Sequence, residues 1–332
     1  MNAPVEPFAV QRAADLEAVA ANRRWLVRDL WTRAAVGVVG GSPKVGKSWF
    51  ALDLAVSVAS GTPCLGVFEV EQRGPALVFL AEDAVSAVRE RLGAVCASRD
   101  LQLADLDVSV IVEPVVRLDL QQHRERLLCT LERHRPTVLL LDPLVRLHRL
   151  DENNAQEISG LLGFLREIQR AFDCAVMLVH HTSKKQRARP GMALRGSSDI
   201  HAFGDSNVYL APDGTDVQLT IEHRSASAPP GVRLRLSSRP DGSATHLCVV
   251  GAAPPPRGAI APSEQVLELL RQAPRPMLRR DIRQALRMNN NRLGDLLVAL
   301  ERDGVIRHAS DGWVAATVSS TPTSEVSQPR LF

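Results

Sequence analysis

The sequence predicts an α/β fold, a mostly parallel central sheet bearing a phosphate-binding loop, with a small helical domain behind it. Three observations carry that prediction. Short apolar runs alternate with amphipathic helical stretches from Ala35 to about Val250, the rhythm of a parallel sheet covered on both faces. One run, Ala35-Val36-Gly37-Val38-Val39, leads into Gly41-Ser42-Pro43-Lys44-Val45-Gly46-Lys47-Ser48, which fits G-x-x-x-x-G-K-[ST] at every fixed position. A stretch rich in Pro and Gly, 251–260, then separates this region from three short helical patterns.

The elements follow in order. Residues 1–34 precede the first core strand, and Trp25-Leu26-Val27 with Leu30-Trp31 read as anchors that pack on a neighbouring subunit. The segment from Trp49 onward reads as a helix opening at the loop. Further strands are predicted at 76–80, 108–112, 137–141 and 175–179. Between the last two, Ile158, Leu161, Leu162, Leu165 and Ile168 share one helical face. Runs at 206–210, 217–221, 232–236 and 244–250 alternate between Gly/Asp/Pro turns and predict antiparallel strands extending the sheet, completing a domain over 35–250. Helices at 263–272, 279–286 and 290–303, then a hairpin of 305–307 with 312–314, read as a winged helix over 261–316. The tail, 317–332, is rich in Ser, Thr and Pro and is expected to be disordered.

Composition narrows the function classes. At 332 residues the chain has room for about two domains. Aromatic residues make up only 4%, which argues against an aromatic-lined pocket or extensive base stacking. The five cysteines are scattered with no C-x-x-C, so neither a disulfide framework nor a zinc ribbon is expected, and a reducing cytoplasm is. No apolar run approaches the roughly 18 residues of a membrane span, so no membrane partner is expected.

The chemistry is read from strand ends. Gly41 and Gly46 let the backbone N–H groups face an anion, and the following helix adds its positive end. Lys47 is placed to reach the β- and γ-phosphates of a nucleoside triphosphate, and Ser48 to bind Mg²⁺. The apolar strand ending at Asp142 supplies a second carboxylate for the metal. Leu80-Ala81-Glu82-Asp83 ends another strand: Glu82 is the candidate to polarise the attacking water, and Asp83 the candidate helix cap. His180-His181 at the tip of a fourth strand suits γ-phosphate sensing. A paired-His zinc site is the rival, without a visible third ligand. A small-molecule kinase would need a lid or substrate signature that the sequence lacks.

These pieces, in this order, resemble the RecA-like ATPase core and the hexameric plasmid replicative helicases of the RepA family. The resemblance rests on Gly41–Ser48, Leu80-Ala81-Glu82-Asp83, Leu140-Leu141-Asp142-Pro143-Leu144-Val145-Arg146-Leu147-His148, Asp151-Glu152-Asn153-Asn154, His180-His181-Thr182-Ser183-Lys184 and Leu194-Arg195-Gly196-Ser197-Ser198. It covers roughly 25–225. It implies ATP and Mg²⁺ at subunit interfaces of a homo-oligomeric ring, Lys47 and Ser48 on phosphate and metal, Glu82 in catalysis, Asp142 on the metal and His180 as sensor. It also implies that Arg91 lies near the nucleotide base; Trp49, the residue after Ser48, is read with the loop as nucleotide-binding. The family's arginine finger has no counterpart in Asp199-Ile200-His201-Ala202-Phe203-Gly204-Asp205, which leaves Arg195 or Arg224 for that role.

Two regions point to nucleic acid. The loop after the histidines carries Lys184, Lys185, Arg187 and Arg189, and the resemblance implies that 183–195 grips single-stranded DNA. In the C-terminal domain ten arginines stand against seven acidic residues between Arg257 and Gly312. Arg280, Asn290, Asn291 and Arg292 are placed to meet duplex DNA at the candidate recognition helix. The expectation is a ring helicase or translocase in plasmid or mobile-element replication. The alternative is an ATP-switched DNA-binding regulator with slow hydrolysis.

Overall fold

Apolar runs without alternation become strands buried on both faces. That holds for β3 (Val36–Gly41), β4 (Ala76–Leu80), β6 (Val138–Asp142) and β7 (Ala175–His181) of the computed structural model. It describes residues 8–15, 24–182, 198–252, 262–286 and 290–316, which fall into two units, 1–254 and 255–332.

In the first unit these strands join β5 (Val108–Val110), β8 (Ser206–Asp213), β9 (Asp216–His223), β10 (Val232–Ser237) and β11 (His246–Ala252) in one nine-stranded sheet. Its order is β11-β10-β9-β8-β3-β7-β6-β4-β5. From β8 to β5 every neighbouring pair is parallel, whereas β8–β9, β9–β10 and β10–β11 are antiparallel. This large, mostly parallel sheet fits the RecA-like class. One of the four runs predicted as antiparallel extensions, β8, instead lies parallel to β3, and the hairpins begin after it.

Helices α1 (Lys47–Ser60) and α2 (Val85–Ala97) pack on one face, and α3 (Gln121–His134), α4 (Ala155–Phe172) and α5 (Ser198–Phe203) on the other. The α1 helix is apolar nearly all round and correspondingly buried along its length. The α4 stripe predicted from Ile158 to Ile168 is buried, and Asn154 caps the helix by accepting from the N–H groups of Gln156 and Glu157.

The Trp25–Trp31 segment requires a correction. It forms a small hairpin, β1 (Trp25–Val27) and β2 (Trp31–Thr32), and Leu26, Val27, Leu30 and Trp31 are fully buried in the same core as α1. Thr32 binds the Ser206 hydroxyl through both its N–H and its side chain, at 3.0 and 2.9 Å. Apolar anchors of this kind are satisfied by the nearest apolar face, here the chain's own, and so do not reach a neighbour. Beside this hairpin, where β3 approaches β8, a Cβ on Gly37 would fall 1.6 Å from the backbone oxygen of Ser206.

The second unit contains α6 (Pro262–Gln272), α7 (Arg279–Leu286), α8 (Asn290–Arg302) and a hairpin, β12 (Ile306–Ala309) with β13 (Gly312–Ala315). Val266, Leu270, Ile282, Leu293, Leu297, Leu300 and Ile306 make its core. Met277 adds a bridge to Trp313, exchanging backbone hydrogen bonds of 3.0 and 2.8 Å. Among the described residues, no helix is long and apolar enough to cross a membrane.

Candidate active site

The parallel strands deliver their polar residues to one end of the sheet. Gly41 ends β3, and the loop after it turns through positive φ at Lys44 and at Gly46, the residue preceding α1. A side chain at 46 would be strained in that conformation. Lys47 folds back so that its ammonium donates to the carbonyls of Gly41 (3.0 Å) and Ser42 (2.8 Å). Burial pulls its pKa down to about 8, against the opposing pull of Asp142 and Glu82.

Asp142 ends β6 and is buried, with the Ser48 hydroxyl bonded to its carboxyl group. Burial raises its pKa to about 6, although Ser48 and Lys47 favour the charged form. Its Oδ2 is buried with no hydrogen-bond partner among the described residues. A hard oxygen donor left over beside a serine hydroxyl fits a divalent cation that arrives with phosphate. The residues present therefore suit Mg²⁺.

Glu82 follows β4 and reaches the same cleft, where its carboxylate pairs with the Arg146 Nε at 2.8 Å. Asp83 does not cap α2, which starts at Val85 without a side-chain cap. It holds Arg91 instead, at 2.6 Å. That guanidinium lies 5.7 Å from the centre of the Trp49 ring, and both residues line the cleft.

The two histidines part company. Successive strand residues face opposite sides of a sheet, so only one of an adjacent pair can meet the phosphate loop. His181, registered against Gly41, lines the cleft with Lys47, Glu82 and Asp142. His180, registered against Gly40, is 1% exposed and turned toward Glu152. The place beside the phosphate loop expected for His180 is thus taken by His181. Burial first, then the nearby Lys47 and His180, hold the His181 pKa below its ordinary value. Among the described residues, no cluster of three or more His, Cys, Asp or Glu could hold a metal by itself, so the zinc alternative gains nothing.

The cleft measures about 650 Å³. Its remaining wall was not visible in the sequence: Thr215, Val217, Leu236 and Leu247 come from the β8–β9 turn and from β9, β10 and β11. The Leu247 methyls stand 3.7 and 3.8 Å from where a Cβ on Gly46 would be. Alternating apolar residues opposite a phosphate loop were the available signal, but their fold partner lies some 200 residues away.

Of the candidate trans arginines, Arg224 donates to the carbonyl of Ala202 and lies 3.6 Å from Asp205. It follows the far end of β9, about 30 Å along the strand from Thr215 at the cleft. Arg195 falls outside the described residues, as do Lys184, Lys185, Arg187 and Arg189. In the second unit Arg280 is exposed on α7, 3.5 Å from Asp281. Asn290, Asn291 and Arg292 open α8, and their side chains lie outside the described set.

A family model described as AAA domain matches residues 3–187, over half of the chain. The chain belongs to the AAA domain family. The matched part of the AAA domain holds both histidines, together with Lys47, Ser48, Glu82 and Asp142, which converge with His181 on the cleft of a P-loop ATPase fold. Strands β8–β11, with the apolar wall of the cleft, and the whole second unit lie beyond the match. The AAA domain chain is also similar to a solved KaiC-like protein from the hyperthermophilic archaeon Pyrococcus horikoshii OT3. The identity is 11% and the TM-score 0.45, over 68% of this chain and 93% of that one.

Proposed function

We propose that this chain hydrolyses ATP and uses the energy to move on DNA, as a RepA-like ring helicase or translocase in plasmid or mobile-element replication. The observation that carries the reading is convergence on one cleft. Lys47, Ser48, Asp142, Glu82 and His181 meet there, and the chain runs from His181 directly into Ser183-Lys184-Lys185-Gln186-Arg187.

Lys47 and the loop N–H groups bind the β- and γ-phosphates. Ser48 and Asp142 would hold Mg²⁺, which neutralises phosphate charge when bound. Glu82 orients a water for in-line attack on the γ-phosphorus. A new P–O bond forms as the bond to the β-phosphate oxygen breaks, and the water's proton passes toward Glu82. His181 meets the γ-phosphate side and passes its presence or loss to the basic segment that follows. That segment would contact DNA phosphates, giving salt-dependent, sequence-tolerant affinity. The second unit, read as a winged helix, would add duplex contacts through α8. Ring formation belongs to the proposal, with an interface other than the internally packed Trp25–Trp31 hairpin.

A second reading has a specific support: Arg224 is committed to Asp205 and Ala202 within its own chain, at the far end of β9 from the cleft. Without a trans arginine, hydrolysis would slow by about 10³–10⁵, and ATP would act as a switch on a DNA-binding regulator. Steady-state ATPase activity, without DNA, with single strands and with duplex, separates the two. Lys47→Ala serves as the blank. Strong stimulation by single strands supports the motor, whereas tight ATP binding with negligible turnover on every DNA supports the switch.

A further inference from the structure

Glu152 sits on the segment between β6 and α4, buried between His148 and His180. Its Oε1 lies 3.6 Å from His148 Nε2 and 3.8 Å from His180 Nδ1. The N–H of Leu150 donates to His148 Nδ1 at 3.2 Å. Both carboxylate–imidazole separations exceed a hydrogen bond, and each becomes an ion pair when its imidazole carries a second proton. Burying a carboxylate costs free energy that an apolar side chain at 152 would not. Such a group is accounted for by the geometry it imposes.

That geometry lies where the sheet leaves a gap. The register between β6 and β7 stops at Leu141–Leu178, whereas β3 stays paired with β7 through Gly41–His181. Residues 179–181 thus have a ladder partner on the β3 side, where Thr182 N–H also bonds the Gly41 carbonyl at 3.1 Å, and none in the β6 register. His148 stands six residues beyond Asp142, and His180 immediately precedes His181. The carboxylate lies between the segment that leaves Asp142 and the strand tip that presents His181.

We propose that Glu152, clamped by His148 and His180, is a positioning residue that fixes the tip of β7 and keeps His181 in place beside Lys47 and Asp142. The inference deepens the ATPase reading and rests on it for its kinetic consequence.

The test uses Glu152→Gln in the full chain, which keeps the shape and removes the charge. MgATP turnover should fall at least about tenfold in kcat, with KM and the Kd for MgATP changed by less than about threefold. In a His181→Ala background the same substitution should cost nothing further, because both act through one imidazole. Losses that add in the double variant, an unchanged kcat, or loss of nucleotide binding together with Tm would overturn the clamp. A readout independent of turnover is the ¹³Cε1 signal of the His181 ring in nucleotide-free protein, assigned with His181→Gln. It should move in Glu152→Gln; an unmoved signal rules the clamp out. Failure of the wild type to bind or hydrolyse ATP would instead sink the ATPase reading, and the ring signal would still decide the clamp.

Discussion

The two halves of the nine-stranded sheet are built on different terms. From β8 to β5 the strands are parallel and largely buried on both faces, and the residues they carry to the cleft stand at or just beyond strand ends: Glu82, Asp142, His181. From β9 to β11 they are antiparallel and alternate, with Arg235 on one face paired to Asp216 and Leu236 on the other lining the cleft. The parallel half thus supplies charge and hydrogen bonds for phosphate and metal. The antiparallel half supplies an apolar wall suited to the non-phosphate end of a nucleotide. Chemistry and affinity should separate along that division.

The largest expected effect lies on the parallel side. Lys47→Ala should remove MgATP binding and bring turnover to background, measured by titration with a fluorescent ATP analogue and by phosphate release. Glu82→Gln should lower kcat by about 10²–10⁴ while the Kd for MgATP changes little. A matching loss of affinity would break the assignment of Glu82 to the chemical step.

The pH dependence comes next. Lys47 must be cationic to hold phosphate, and its pKa in the free protein is about 8. Affinity for ATP should therefore fall by about tenfold between pH 7 and pH 9, with proton uptake on binding near pH 8, seen by calorimetry in two buffers. Lys47→Arg, whose guanidinium stays charged throughout this range, should abolish that uptake. Stability carries the opposite sign. The unfolded chain keeps this proton to about pH 10.5, so from pH 8 upward the unfolded state binds more protons and this group's contribution to stability rises with pH. The smallest effect belongs to the antiparallel side. Leu236→Ala should raise KM for ATP by about fivefold with kcat unchanged, the mark of uniform binding lost with buried apolar surface. A fall in kcat there would erase the division.

What could be read from the sequence follows the distance over which each feature is encoded. The phosphate loop is eight consecutive residues between a strand and a helix, and Asp142 ends an unbroken apolar run, so both were legible locally. The choice between His180 and His181 was not, because it depends on the register of β7 against β3, a pairing across some 140 residues. Trp25, Leu26, Leu30 and Trp31 announced burial without saying on what, since apolar residues specify a dry environment and not its owner. Leu236 and Leu247 alternate like any half-buried strand, and their place opposite Gly46 emerges only once β8 has paired with β3. Glu152 lay within a quoted motif, yet its partners are four residues before it and twenty-eight after it.

The joint between the two halves of the sheet also bears on how such chains can vary. At Gly37 the backbone of Ser206, the first residue of β8, and the ring of Trp31 occupy the space a side chain would need. Every other amino acid brings at least one carbon to that point, so no codon change that alters the residue is mild. Drift can reshape both halves around position 37, and the position itself has nowhere to go.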